Sequence, residues 1–170
     1  LRSNAGLTQK QIADELGMKP EDKEALYFAC LLHDIGEIYI SGDILNKNGK
    51  LTELEYQIEK NHVVYGSNLV KQLLKPEPRR DDIAKYILQH HERYDGKGYP
   101  YGLKGKNIEL ASRIIMVADA VDAMLSKRSY KTSKSLAETI KELKLNKGTQ
   151  FDPGVVDVMI RVLYERSAAK

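Results

Sequence analysis

The four histidines of this 170-residue chain fall in three short motifs, each attached to an apolar segment. His33-Asp34 ends the apolar run 26–32, and His62 lies inside a long amphipathic stretch. His90-His91 leads into Glu92-Arg93-Tyr94-Asp95-Gly96-Lys97-Gly98-Tyr99-Pro100. Asp119 and Asp122 interrupt a further apolar segment, 114–125. A carboxylate within an apolar helix is costly unless paired or coordinated. Imidazole and carboxylate together suit first-row transition metals. With no histidine left over for the surface, the distribution points to a metal-dependent enzyme.

The apolar spacing is helical throughout. Thr8-x-x-Gln11 and Gly17 predict the start and stop of a helix carrying Ile12, Ala13 and Leu16. Pro20 suits the first turn of a second, in which Ala25, Leu26, Ala29 and Leu32 recur up to His33. Residues 36–50 read as a loop with one short turn of helix. Thr52-x-x-Glu55 opens a helix with Leu54, Ile58, Tyr65, Leu69 and Leu73 on one face, and His62 falls on that face too. Pro76 and Pro78 break it, and Ile83, Ile87 and His90 or His91 mark the next.

Residues 94–107 hold four glycines and one proline, a loop long enough to be functional. Residues 108–127 are apolar nearly all round and predict a central helix. Ser135-x-x-Glu138 with Gly148, and Asp152-Pro153, frame the last two. No repeat and no alternating strand pattern interrupts this series. The expected fold is all-α, a single bundle of about seven helices over residues 1–170.

Composition narrows the function classes. A hydrophobic content of 42% and a charged content of 30% fit one soluble domain. A net charge of +3, with basic residues scattered among acidic ones, argues against a nucleic-acid or membrane surface. Cys30 has no disulfide partner and reads as a small core residue in a reducing compartment. No stretch approaches a transmembrane span or a signal peptide, so the expectation is cytoplasmic. The chain opens on Leu1-Arg2-Ser3 without a methionine and is expected to be part of a longer protein that lacks its N-terminal portion here.

The ligand count bears on the number of metals. Adjacent helical residues point about 100° apart. His90 and His91 therefore either serve two metals or converge at a fraying helix end. Asp34 after His33 has the same geometry, and a carboxylate can bridge where an imidazole cannot. Four histidines and two aspartates exceed one tetrahedral zinc and suit two metals sharing Asp34. A pair about 3.5–4 Å apart activates a bridging water for in-line displacement at phosphorus.

At this point His33-Asp34-Ile35-Gly36, His62, His90-His91-Glu92-Arg93, Asp95-Gly96-x-Gly98-Tyr99-Pro100 and Ala118-Asp119 resemble the HD-GYP subgroup of the HD phosphohydrolases. Lys50-Leu51-Thr52 and Phe151-Asp152-Pro153 extend the resemblance to nearly the whole chain. It implies an HD-type helical bundle that cleaves cyclic di-GMP to linear pGpG, with slow or no further cleavage to GMP. It implies His33, Asp34, His62, His90, His91 and Asp119 as metal ligands, with Asp34 as the bridge. The metals would be iron or manganese, with nickel or zinc also compatible. Tyr99 would line the substrate pocket, and Arg128 and Lys131 would meet a ligand phosphate. A packed turn for Gly98-Tyr99-Pro100 and a C-terminal helix cap for the two cations remain the plainer alternatives. Asp122 would sit beside the metals, and Arg93 and Arg113 would orient the Gly-rich loop.

Two departures from the subgroup matter. A lysine usually follows His-Asp-Ile-Gly, and here the residue is Glu37, which weakens attraction for an anionic substrate, ligates a metal, or is held away. No histidine precedes His33, so a third metal is not expected. Two other readings stay open: a weak cyclic di-GMP-binding module that docks a GGDEF-type synthase through its Gly-rich loop, and an HD hydrolase of another nucleotide. A homodimer is compatible with either.

Overall fold

The computed structural model describes residues 3–75, 78–126 and 133–168. The elements are α1 (Ser3–Glu15), α2 (Pro20–Leu32), a 3₁₀ turn (Ile35–Tyr39), α3 (Gly42–Leu45), α4 (Glu53–Lys60), α5 (His62–Leu73), α6 (Pro78–Gln89), a 3₁₀ turn (Gly105–Asn107), α7 (Leu110–Leu125), α8 (Leu136–Leu145) and α9 (Pro153–Ala168). Among the described residues there is no strand, only two isolated bridges, and the all-α expectation holds. The helices outnumber the expected seven because one long helix is split and a short one appears at Gly42–Leu45.

The central helix is α7, packed against α1, α2, α6, α8 and α9. Ile114, Ile115, Met116, Val117 and Val121 are buried on it. They meet Ile12 of α1, Leu26 of α2, Ile87 of α6, Leu143 of α8 and Met159 of α9 in one core. Each fully buried side chain of this size contributes roughly 1.5–3 kcal/mol relative to exposure. Two hydrogen bonds then fix the end of α6 to α7. Ser112 Oγ donates to the Tyr86 carbonyl at 3.0 Å, and the Glu109 N–H donates to Gln89 Oε1 at 2.8 Å. His90 follows Gln89 directly, so the core sets its position.

Two sequence expectations need correction. Thr8 does not start the first helix; α1 begins at Ser3 and Thr8 lies within it. Gly17 does end it, at φ 66°. The helix expected to run from Thr52 past His62 is interrupted at Asn61, whose ψ of −10° departs from the helical value of about −42°. That interruption shifts the rotational phase. Leu54 and Leu73 are exposed, and the buried face is His62, Val63, Gly66, Ser67 and Val70. Small residues make this the close-packing face, which a count of large apolar side chains does not reveal.

Cys30 packs against the core, and burial pushes its thiol up to about 12. Only the thiolate is nucleophilic, so at pH 8 about one molecule in ten thousand carries it. Alkylation by iodoacetamide at pH 8 is expected to be negligible in the native protein and rapid in denaturant, as mass spectrometry would read.

Candidate metal centre

His33 is the C-cap of α2, and Asp34 begins the turn into Ile35–Tyr39. What presses that turn onto α5 is Gly36. A Cβ built there would lie 2.0 Å from the His62 carbonyl oxygen and 2.5 Å from the Gly66 nitrogen. Only glycine permits this approach, and it brings Asp34 beside the first residue of α5, His62. The His-Asp-Ile-Gly sequence therefore reads physically as ligands followed by the contact that delivers them.

Three histidines are oriented the same way. The Nδ1 atoms of His33, His62 and His90 lie 2.8, 2.8 and 2.7 Å from the carbonyls of Cys30, Glu59 and Ile87, three residues back in each case. A carbonyl only accepts, so each Nδ1 carries the proton and donates. Each Nε2 lone pair is then aimed inward. The His33, His62 and His90 Nε2 atoms lie 3.1, 3.8 and 3.7 Å from the Asp34 carboxylate. His90 and His91 sit just past the end of α6 and converge, with ring centroids 4.1 Å apart.

Asp34, His62, His90 and His91 each offer a ligand atom within 4.8 Å of the others. The Nε2 atoms of His62 and His90 are buried and lack a hydrogen-bond partner. Buried polar atoms without partners are uncommon and ask for an explanation. A cation would satisfy both, and imidazoles that ligate metals usually donate their other N–H to a carbonyl in this way. The residues present fit a divalent metal.

Electrostatics agree with that donor set. Burial, then the neighbouring His90 and His62, hold His91 down to about 2, so it is a neutral donor. Burial lowers His90 as well. Burial would raise Asp34, but the imidazole of His33 beside it, and then that of His90, outweigh burial and hold the carboxyl far below its usual range. His33 is the reverse case: burial lowers it, the Asp34 carboxylate prevails, and it stands at about 9. Asp34 is 46% exposed on its side chain, so the cluster opens to solvent on that side.

The other predicted residues are distributed around this quartet. Asp119 projects half-buried from α7, with its charge acting on His33 and Tyr99. Tyr99 stacks on His91 with centroids 4.9 Å apart. Glu37 is half-buried, its carboxyl raised by burial and then by Asp34. Asp122, in the last turn of α7, is exposed, as Asp34 is. Arg113 reaches the end of the Gly-rich loop and beyond it. Its Nε donates to the Ile108 carbonyl at 3.0 Å and its guanidinium pairs with Asp152, the residue capping α9, so it ties α7 to α9. Arg93 holds Asp95 through Nε and a terminal nitrogen at 3.1 and 2.8 Å, inside the loop. Arg128 and Lys131 lie outside the described residues.

Glu92 was missed by the sequence reading. It is buried, and its two carboxylate oxygens accept the N–H groups of Tyr101 and Leu103 at 2.7 and 2.9 Å. Gly98 packs against the same stretch, where a Cβ would lie 2.3 Å from the Arg93 nitrogen. The available signal was an acidic residue between two histidines and a loop with many amides to satisfy.

A helical bundle that gathers imidazoles around the aspartate of a His-Asp pair defines the HD domain, and the chain belongs to that family, whose profile matches residues 3–155. Among curated proteins it is similar to a cyclic di-GMP phosphodiesterase of Thermotoga maritima, 39% identical over 92% of this chain and 42% of that protein. The cyclic di-GMP phosphodiesterase response regulator RpfG of Xanthomonas campestris pv. campestris is 41% identical over 88% of this chain and 39% of its own length. A 3'3'-cGAMP-specific phosphodiesterase of Vibrio cholerae is 36% identical over 89% of this chain and 28% of its own length. The chain thus spans about two fifths of the first two relatives. Among solved structures, the V. cholerae cyclic GMP-AMP-specific phosphodiesterase V-cGAP3 matches with a TM-score of 0.70 at 21% identity, over 96% of this chain and 43% of that one. Among the described residues no helix is long and apolar enough to cross a membrane.

Proposed function

We propose that this chain is the catalytic domain of a metal-dependent phosphodiesterase that hydrolyses cyclic di-GMP to linear pGpG in the cytoplasm. The observation that carries it is the pair of buried, partnerless Nε2 atoms converging on Asp34 with His91. In this reading His33, Asp34, His62, His90, His91 and Asp119 would hold two divalent ions, iron or manganese, with Asp34 serving both. When bound, such a pair supplies Lewis acidity and lowers the pKa of water, so a nucleophile is available at neutral pH. The chain's own residues do the rest. The three backbone carbonyls lock the imidazoles as neutral donors, and Tyr99 walls the pocket above His91. A donor set this complete argues for turnover over a purely binding or GGDEF-docking role.

The test is turnover by purified, metal-loaded protein, with products resolved by mass spectrometry. Appearance of pGpG from cyclic di-GMP supports the reading, and failure to cleave it overturns it. A second reading, 3'3'-cGAMP as preferred substrate, is favoured by the V. cholerae relatives and is measured in the same assay.

Glu37 bears on efficiency. It lies on the 3₁₀ turn that Asp34 caps, close enough for the two charges to act on each other, and adds negative charge where a diester would approach. A cation meeting phosphate contributes roughly 1.5–3 kcal/mol, or about one to two decades. Glu37→Lys is therefore expected to lower KM or raise kcat/KM by about that factor. Elemental analysis of the variant checks the premise, since loss of a metal equivalent would make Glu37 a ligand instead.

A further inference from the structure

The end of α4 carries a group that the histidine cluster does not use. Lys60, the last residue of α4, places its Nζ 4.3 Å from the centre of the Tyr56 ring and 5.7 Å from that of Tyr99. Tyr99 stacks on His91, so this ammonium stands one ring removed from the candidate ligands. Two aromatic faces attract a cation without neutralising it. An ammonium also keeps three N–H donors, and among the described residues no carboxylate pairs with this one. Tyr56 is itself 42% exposed.

The surroundings are acidic. Asp34 is open to solvent, the charge of Glu59 acts on both Glu37 and Tyr99, and that of Asp119 reaches Tyr99. A dianionic substrate entering such a mouth needs a fixed positive charge along its path. Lys60 meets that need from the Tyr99 side, and an exposed ring beside a cation is the combination on which nucleobases stack.

We propose that Lys60, held between Tyr56 and Tyr99, is a substrate-binding residue that receives the phosphate of the cyclic dinucleotide not undergoing cleavage, while Tyr56 offers its ring to a base. This rests on the phosphodiesterase reading above. It assigns to the end of α4 a part in recognition, separate from the ligands that begin α5.

The test compares wild type, Lys60→Met and Lys60→Arg, loaded with manganese, using cyclic di-GMP and 3'3'-cGAMP. Calorimetric Kd, KM and kcat are measured beside metal content and melting temperature. Loss of one charge-assisted phosphate contact is expected to raise Kd and KM roughly tenfold to a hundredfold in Lys60→Met, with kcat changed far less. Metal content and melting temperature should match wild type, and Lys60→Arg should recover most of the affinity. Kd and KM within about twofold of wild type would overturn the proposal and leave Lys60 as packing on two rings. If wild type neither binds nor cleaves either dinucleotide, the phosphodiesterase reading fails on its own. Lys60 is then judged with bis(p-nitrophenyl) phosphate and inorganic phosphate, where unchanged affinity in Lys60→Met overturns the assignment to phosphate.

Discussion

If the chain is the proposed two-metal diesterase, Asp34→Asn is expected to strip both metals and to lower turnover by roughly three decades or more, about 4 kcal/mol of barrier. The side chain keeps its size, but one oxygen becomes an amide nitrogen facing imidazoles whose Nε2 atoms lie 3.1 to 3.8 Å away. That nitrogen can donate to the orphaned Nε2 of His62 or His90, satisfying in the variant what a cation would satisfy in wild type. The fold should therefore survive while the metal centre does not. Elemental analysis and circular dichroism on one preparation read both halves. Retention of two equivalents would remove Asp34 from the bridge, and a single equivalent in fully loaded wild type would end the dinuclear description.

Gly36→Ala should be nearly as damaging without replacing a ligand. The new Cβ would meet the backbone of His62 and Gly66 at 2.0 to 2.9 Å, where no flexible side chain can yield. Overpacking of this kind costs about 1–3 kcal/mol, and a backbone obstacle belongs at or above the upper end. The turn carrying Asp34 must lift from α5, so metal affinity falls along with the melting temperature. Gly42→Ala is the control, because its Cβ would meet only Asn46 Nδ2 at an ordinary 3.7 Å. Equal melting temperatures for the two variants would show that the approach of the turn to α5 is not what holds the site.

How much of this was legible beforehand differs by element. The central helix, the caps at Thr52 and Ser135, and the stop at Gly17 were readable because each depends on a few neighbouring residues. The split at Asn61 was not, because a deviation in one ψ leaves no trace in the order of apolar residues. The buried face of α5 was misassigned for a related reason: Gly66 is buried by what approaches it, the turn at Ile35 and the side chain of Ile87. In the site, residue types gave the four histidines and Asp34 directly. The roles of Glu92, Arg113 and Lys60 depend on partners 9 to 39 residues away, and no local pattern encodes those distances.

The loop after His91 has one more consequence. Glu92 grips the amides of Tyr101 and Leu103, Gly98 lies on the backbone of residues 91–93, and the Tyr99 N–H donates to the His91 carbonyl at 3.3 Å. Residues 91–103 are thus a circuit closed upon itself, in which one end carries an inward-facing imidazole and the far side carries the aromatic wall. Neither end can be retuned alone: a substitution that shifts Tyr99 to suit a different base also tugs on His91. On the phosphodiesterase reading, change in ligand preference would then fall to the end of α4, which adjoins Tyr99 but lies outside the circuit, unless the whole circuit is exchanged as a cassette.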